Sequence, residues 1–296
     1  MTTIAIFGAA GCMGTRASNT LARDPSYRLL YVEKGEAGLC RLRERGLRPT
    51  VQAEALAAAD VILLTVPDEH IGDVAAEIVP WMKSGAMLLC LDAAAPHAGK
   101  LPRRDDVSYF VTHPAHPPVF NDEVNPAARR DFFGSGLAKQ AIVSALMQGP
   151  ESDYARGERI ARVLFGPVLR SHRVTVEQMA LLEPVLSETV AAACLSIIRE
   201  AMDEAIHRGV PAQAARDFLL GHIHIELAIL FNEIDWQFST GCRQAIADAC
   251  PRLFRSDWKK VFDPEAVRAS AETISTPRKP GNGVAVVPNH CEEHAR

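Results

Sequence analysis

The sequence predicts an α/β fold, with an N-terminal Rossmann-type, doubly wound parallel sheet followed by an all-helical C-terminal domain containing one long helix. Three observations carry this. Short apolar runs alternate with helical patterns in the first half of the chain, as strands buried on both faces of a parallel sheet require. A glycine turn, GAAGCMG, directly follows the first of these runs. From about Val174 apolar residues recur at helical spacing for more than 30 residues.

Taken in order, TIAIF (residues 3–7) is a β-branched apolar run ending at Gly8, and GAAGCMGTRASNTLARD turns tightly into a helix. RLLYVE is a second strand ending in Glu33. ADVILLTVPDEHIGDVAAEIVPWM reads as a buried strand, a Pro-Asp turn and an amphipathic helix, while GAMLLCLDAAAP and VSYFVTHP are strands followed by loops. The long helical run stops at Gly209, and Pro184 within it predicts a kink or local break. Two further helical patterns follow. The expected organisation is a cofactor domain over 1–172, a helical substrate and dimerisation domain over 173–276, and a flexible tail over 277–296, where Pro and Gly are frequent and no period is sustained.

Composition narrows the class. The chain has 296 residues, 48% hydrophobic and 23% charged, with net charge −4; no long basic run points to nucleic acid. Apolar runs such as VILLTV fall well short of the roughly 20 residues that span a bilayer, so no membrane association is expected. Seven scattered cysteines without a C-x-x-C pair argue against a disulfide framework or a zinc knot and point to a reduced, cytoplasmic setting.

The glycine turn is the first motif with chemistry. Gly8, Gly11 and Gly14, with Ala10, Cys12 and Met13 between them, bring the backbone close to a pyrophosphate at a helix N-terminus. Glu33, about 20 positions on at the end of the second strand, suits the adenosine ribose hydroxyls and repels a 2′-phosphate, favouring NAD; the adjacent Lys34 works against that preference. Val66, Pro67 and Asp68 end a strand at the place where related sheets pass beneath the nicotinamide half of the cofactor.

The second motif is YFVTHPAHPPVFND. His113 stands at the C-terminal end of a strand, where open α/β sheets bind ligands, and His116 follows in the same loop. Proline after each histidine predicts an extended, stiff loop. Two histidines so placed can share a metal, or one can bind while the other does acid/base work; the sequence leaves both open.

DAAAPHAGKLP, YFVTHPAHPPVFND, RRDFFG, AKQAIVSALMQGPE, RSHRVTVEQMALLEPVLSETV and REAMDEAIHRGVPAQAARDFLLGH together resemble the D-apionate oxidoisomerases, within the 6-phosphogluconate and 3-hydroxyacid dehydrogenase superfamily. The resemblance covers nearly the whole chain up to the tail. It implies NAD-dependent oxidation of a branched hydroxy acid, D-apionate, coupled to carbon migration that gives 3-oxo-isoapionate. Both oxygens gain negative charge during the shift, so a divalent cation (Zn, Mg or Mn) is expected as Lewis acid. His113 and Glu183 are the expected ligands, with His116 and Glu188 as catalytic groups. Glu183 sits in the apolar MALLEPVL, where a charge is costly. No lysine stands near positions 183–188, a departure from the lysine-based proton transfer of related dehydrogenases.

Secondary candidates are His222 and His224, Lys139 and Arg170 for a substrate carboxylate, and Asn121 with Asp122 for orienting the histidine loop. Lys259 and Lys260 read as an exposed face. The apolar helical stripe predicts a homodimer. Two alternatives stand: a simple β-hydroxyacid dehydrogenase without rearrangement, and a non-catalytic NAD-binding sensor. A semialdehyde dehydrogenase is disfavoured because no cysteine has an evident nucleophile setting.

Overall fold

The structure, a computed structural model, describes residues 1–277; all of the expected tail beyond Pro277 lies outside the described residues. The chain forms two compact units, one of Met1–Pro184 with the segment from Arg268 onward, the other of Val185–Val267. The division falls between Pro184 and Val185 rather than at residue 173, and the last helix returns to the first unit.

The first unit is built on one seven-stranded sheet. Its strands are β1 (Thr2–Phe7), β2 (Tyr27–Val32), β3 (Val61–Leu64), β4 (Met87–Cys90), β5 (Ser108–Pro114), β6 (Gln140–Gln148) and β7 (Val168–Arg173), in the spatial order β2-β1-β3-β4-β5-β6-β7. The first five run parallel, with Ile4 opposite both Leu29 and Val61. β6 pairs antiparallel with β5, and β7 runs parallel to β6, so the parallel sheet carries a reversed pair at one edge. Strand order reverses between β1 and β3, and the crevice over their C-terminal ends is where such sheets bind ligands.

Alternation along the strands explains the two layers. Ile4, Ile6, Leu63, Leu89 and Phe110 face one core, with Leu21 of α1 (Cys12–Leu21), Leu42 of α2 (Glu36–Glu44) and a later helix over Ser152–Leu164. Ala5, Phe7, Ile62, Leu64, Leu88 and Val111 face the other, with α3 (Gln52–Ala58) and α4 (Ile71–Ile78). All four residues of β3 and of β4 are buried, which is why these strands read as continuous apolar runs. A short α5 (Ala94–His97) follows β4, and α6 is the helix over Ser152–Leu164.

The long helix spans Val176–His207 in three parts: α7 (Val176–Ala180), a wider π-helical stretch over Leu181–Ala192, and α8 (Ala193–His207). Thr175 caps it, its hydroxyl accepting from the Gln178 N–H while Gln178 reaches back to the Thr175 N–H. The wide turns begin around Pro184, which has no N–H to complete the α pattern. The expected break is there, as a change of winding. The ordinary 100° per residue of an α-helix therefore does not relate the faces of Glu183 and Glu188.

By length and composition this helix is apolar enough to cross a membrane, with mean hydropathy 1.6 in its most apolar window and 11% of that window buried within the chain. Counting only unbroken apolar runs in the sequence misses it, because Glu183 and Glu188 interrupt the run. The second unit adds α9 (Ala212–Leu230) and α10 (Thr240–Leu253). α11 (Pro264–Ile274) brings the chain back to the first unit. There Ala271 is buried, and Lys100 donates to the Ser275 carbonyl and the Thr276 hydroxyl.

Candidate active site

The glycine turn is built by close backbone contact. Gly8 has φ +81°, and a Cβ there would lie 3.0 Å from the Thr65 carbonyl oxygen. A Cβ on Gly14 would lie 2.1 Å from the Gly8 carbonyl oxygen, so only glycine lets α1 start this close to β1. Gly11 is the N-cap and offers no side-chain cap, and the first turn, which includes Cys12 and Met13, has no acidic residue. Such a helix end suits an anion.

Glu33 stands beside this turn. One carboxylate oxygen accepts from the Ala10 N–H at 2.8 Å and the other from the Lys34 N–H at 3.0 Å. The Lys34 ammonium is paired with Glu77. The sequence reading missed two nearby guanidiniums: Arg41 donates to the Ala10 carbonyl, and Arg45 to the Ala9 carbonyl and the Thr15 hydroxyl. Both are legible only once α2 is folded over the turn.

The C-terminal ends of β3, β4 and β5 bring Asp68, Asp92 and His113 together. His113 Nδ1 lies 2.7 Å from the Leu91 carbonyl oxygen, which can only accept, so Nδ1 carries the proton. Nε2 is then the nitrogen facing Glu183 Oε1, at 2.9 Å. That contact needs a proton between the two groups, held on one or the other. Glu183 reaches it from the helix, immediately before Pro184.

Asp92, 4% exposed, accepts from the Ala94 N–H at 2.6 Å and hydrogen-bonds the Glu183 carboxyl. Burial, followed by the Glu183 charge, holds Asp92 well above the ordinary carboxylate range. Asp68 is raised to about 6, first by desolvation of its carboxyl, then by Asp92; His113 pulls the other way. Asp68, expected on the cofactor side with Val66 and Pro67, is thus electrostatically part of the histidine cluster. Asp92 was missed, although its position at a strand end, like that of His113, was the available signal.

His116 is held separately. Its backbone has φ +59°, left-handed rather than the extended form expected before Pro117. Its Nδ1 donates to the Phe133 carbonyl at 3.1 Å, and desolvation lowers its pKa below the ordinary histidine value. The His113 and His116 rings lie edge to face, 6.1 Å between centroids. Asn121 ties to the Pro118 carbonyl and the Glu123 N–H, so the histidines are oriented by Leu91 and Phe133 instead.

Among the described residues no group of three or more His, Cys, Asp or Glu side chains is placed to hold a metal ion. His113 and Glu183 supply two donors already in contact with each other, so a divalent cation held there would draw the rest of its shell from substrate or water. Glu188 lies on the wide helical stretch in the second unit. His222 stacks on Phe218, 4.0 Å between centroids, and both border an apolar cavity of about 600 Å³ between α8 and α9. Lys139, Arg170, Lys259 and Lys260 are exposed.

Known proteins show the same two-part plan. A family model for the NADPH-binding domain of acetohydroxy acid isomeroreductase matches residues 2–121, and one for the C-terminal part of decarboxylating phosphogluconate dehydrogenase matches residues 121–275. D-apionate oxidoisomerases from Rhizobium rhizogenes and Cupriavidus necator are each 54% identical to this chain, covering 93% and 92% of it and 100% and 99% of their own lengths. A solved semialdehyde dehydrogenase NAD-binding protein from Cupriavidus necator, in complex with calcium and NAD, is 53% identical with TM-score 0.89, over 93% of this chain and 99% of its own. With more than half of its residues shared along nearly its full length, the chain belongs to the D-apionate oxidoisomerase family, within the 6-phosphogluconate and 3-hydroxyacid dehydrogenase superfamily.

Proposed function

We propose that this protein is an NAD-dependent oxidoisomerase that converts D-apionate to 3-oxo-isoapionate. The observation that carries the reading is the His113–Glu183 contact of 2.9 Å, backed by Asp92, at the C-terminal ends of strands in the sheet that also carries the glycine turn. A proton shared among imidazole and carboxyl groups is what alternate deprotonation and reprotonation of two neighbouring hydroxyls requires.

NAD held at the glycine turn would supply the acceptor for the hydride at C2 of the substrate. His116, with Nδ1–H fixed on the Phe133 carbonyl, keeps Nε2 as its basic nitrogen and takes the proton of the C2 hydroxyl. The product of that step is a 2-keto acid with a tertiary hydroxyl at C3. The His113–Glu183 pair takes the C3 hydroxyl proton as a hydroxymethyl group moves from C3 to C2; C3 becomes the ketone, and the new C2 alkoxide regains a proton. Glu188 is a further proton carrier in this reading. Glu33 favours NAD over NADP, because a carboxylate bonded to the Ala10 N–H repels a 2′-phosphate. No step is assigned to a metal ion. With two donors from the protein, a divalent cation enters only if substrate oxygens complete its shell.

We further propose a homodimer working in the cytoplasm. Ile198, Met202, Phe218 and Leu219 line the apolar cavity of the helical unit, a surface that a second copy would cover. None of the six cysteines of the described residues is in a disulfide, which suits a reducing compartment. Light scattering without detergent gives a dimer mass on this reading; a monomer refutes it.

The test of activity is NADH formation from D-apionate, with and without prior chelation, and NMR of the product. NADH with a rearranged carbon skeleton supports the oxidoisomerase. NADH with an unrearranged keto acid leaves a plain hydroxyacid dehydrogenase, and NAD binding without turnover of branched hydroxy acids leaves a sensor. Loss of rearrangement on chelation alone identifies a recruited cation.

A further inference from the structure

His116 depends on a loop that is itself fastened to the helix of the glycine turn. Arg16 lies two residues beyond Gly14 on α1. Its guanidinium donates to the Gly134 carbonyl and, at 3.4 Å, to the Phe133 carbonyl. The same guanidinium sits 5.3 Å from the ring centroids of both Phe133 and Phe165, so it is held between two aromatic faces. Its Nε is buried without a hydrogen-bond partner. A charge in such a place is costly unless its contacts serve a purpose.

The segment Arg16 grips is preformed. The Asp131 carboxylate, 9% exposed as a residue, accepts from the N–H groups of Ser135, Leu137 and Ala138 at 2.6, 2.9 and 3.1 Å. The Gln140 amide donates to the carbonyls of Gly134 and Phe165. Gly134 itself has φ +73°, with the Gln140 amide filling the space a side chain would need. RRDFFG is therefore a rigid hook that presents the Phe133 carbonyl outward from its turn.

Phe133 is where the two histidine-loop supports meet. Its carbonyl accepts from both Arg16 and His116 Nδ1, and its ring lies 5.1 Å from the His116 ring. The path from the glycine turn to His116 is thus a single side chain and a single carbonyl. We propose that Arg16 is a positioning residue that transmits cofactor occupancy of the α1 N-terminus to His116 through Phe133. This rests on the reading above that NAD binds at the glycine turn and that His116 is the base. Pyrophosphate bound at Gly11–Gly14 fixes the start of α1, Arg16 fixes Phe133, and Phe133 holds the His116 tautomer and ring orientation.

The test uses the full-length enzyme with Arg16→Met and Arg16→Lys. Amide hydrogen exchange of residues 115–139 is followed with and without saturating NAD, beside NAD titration, thermal melting and D-apionate kinetics. In the wild type NAD slows exchange across this loop. In Arg16→Met the expected result is NAD affinity within about twofold of wild type, no NAD-induced protection of the loop, and kcat lower by about tenfold or more, an appreciable part of what a general base contributes. Arg16→Lys keeps one donor and the aromatic contact and recovers part of both the protection and kcat.

NAD-induced protection and kcat that survive in Arg16→Met overturn the proposal, as does a wild-type loop indifferent to NAD. A variant that melts earlier yet keeps kcat shows a merely structural arginine and also overturns it. If the wild type itself binds no NAD, the functional reading fails first. That result is distinguishable, because it appears before any variant is made.

Discussion

The three glycines of the turn differ in what surrounds them, and alanine substitutions at each separate fold from cofactor binding. At Gly14 the new Cβ would lie 2.1 Å from the Gly8 carbonyl oxygen and 2.6 Å from the Ala9 Cα, both backbone atoms. Relief requires α1 to move off β1, an overpacking cost at the upper end of the usual range, about 3 kcal/mol. At Gly8 the strain is conformational: φ +81° costs a non-glycine residue about 1–2 kcal/mol, and Thr65 closes in at 3.0 Å. At Gly11 the backbone is extended, and the nearest atom to a Cβ is 3.4 Å away. At about 2–4 °C per kcal/mol, Gly14→Ala should melt roughly 6–12 °C early, Gly8→Ala roughly 2–8 °C early, and Gly11→Ala within about 2 °C of wild type. NAD binding, followed by titration, should weaken in all three, and in Gly11→Ala by about tenfold without loss of stability, because its methyl group stands where the pyrophosphate approaches the backbone. A Gly14→Ala protein that melts with wild type, or a Gly11→Ala protein that melts as early as Gly14→Ala, would refute this account of the turn.

The other expectations concern the histidine cluster. His113→Asn keeps a donor for the Leu91 carbonyl but removes the nitrogen facing Glu183; kcat should drop by about 10²- to 10⁴-fold with NAD affinity unchanged, and a fall confined to NAD affinity would place His113 outside the chemistry. The Asp68 carboxyl, raised from 3.8 to about 6, contributes stability that is full below about pH 4 and lost as the pH rises through 6. Asp68→Asn should therefore melt with wild type at pH 4 and above it at pH 7.5, and an equal difference at both pH values would count against the cluster. Pro184→Ala restores the missing N–H and lets the helix wind as α through Glu183; turnover should fall about tenfold at constant NAD affinity, whereas an unchanged kcat would detach the wide turns from catalysis.

Much of the cofactor half was legible because its signals are local. The buried strands β3 and β4 are apolar on every residue, and the turn at Gly8–Gly14 follows directly from the strand before it. β6 and β7 were not legible: their burial is interrupted, and their place at the edge is set by pairing with β5. His113 and Glu183 were both singled out, but their direct contact arises from a 70-residue separation that no period encodes. Arg16, Asp92 and Asp131 escaped notice for the same reason. Each is an ordinary charged residue until the fold gives it a carbonyl, a carboxyl or a row of amides as its partner.

The question the sequence left open, whether the two histidines act alike, turns on two backbone carbonyls. Leu91 and Phe133 each accept from an Nδ1, so both rings present Nε2 as the atom free to exchange a proton. The surroundings of those two atoms then differ. His113 faces Glu183 backed by Asp92, a group of acids that keeps a proton within reach. His116 has no carboxylate in that role; desolvation, His113 and Arg16 all favour its neutral form. A neutral imidazole on one side and an imidazole–carboxyl pair that shares a proton on the other suit oxidation followed by rearrangement, since each hydroxyl must give up a proton in turn and the new C2 alkoxide must regain one.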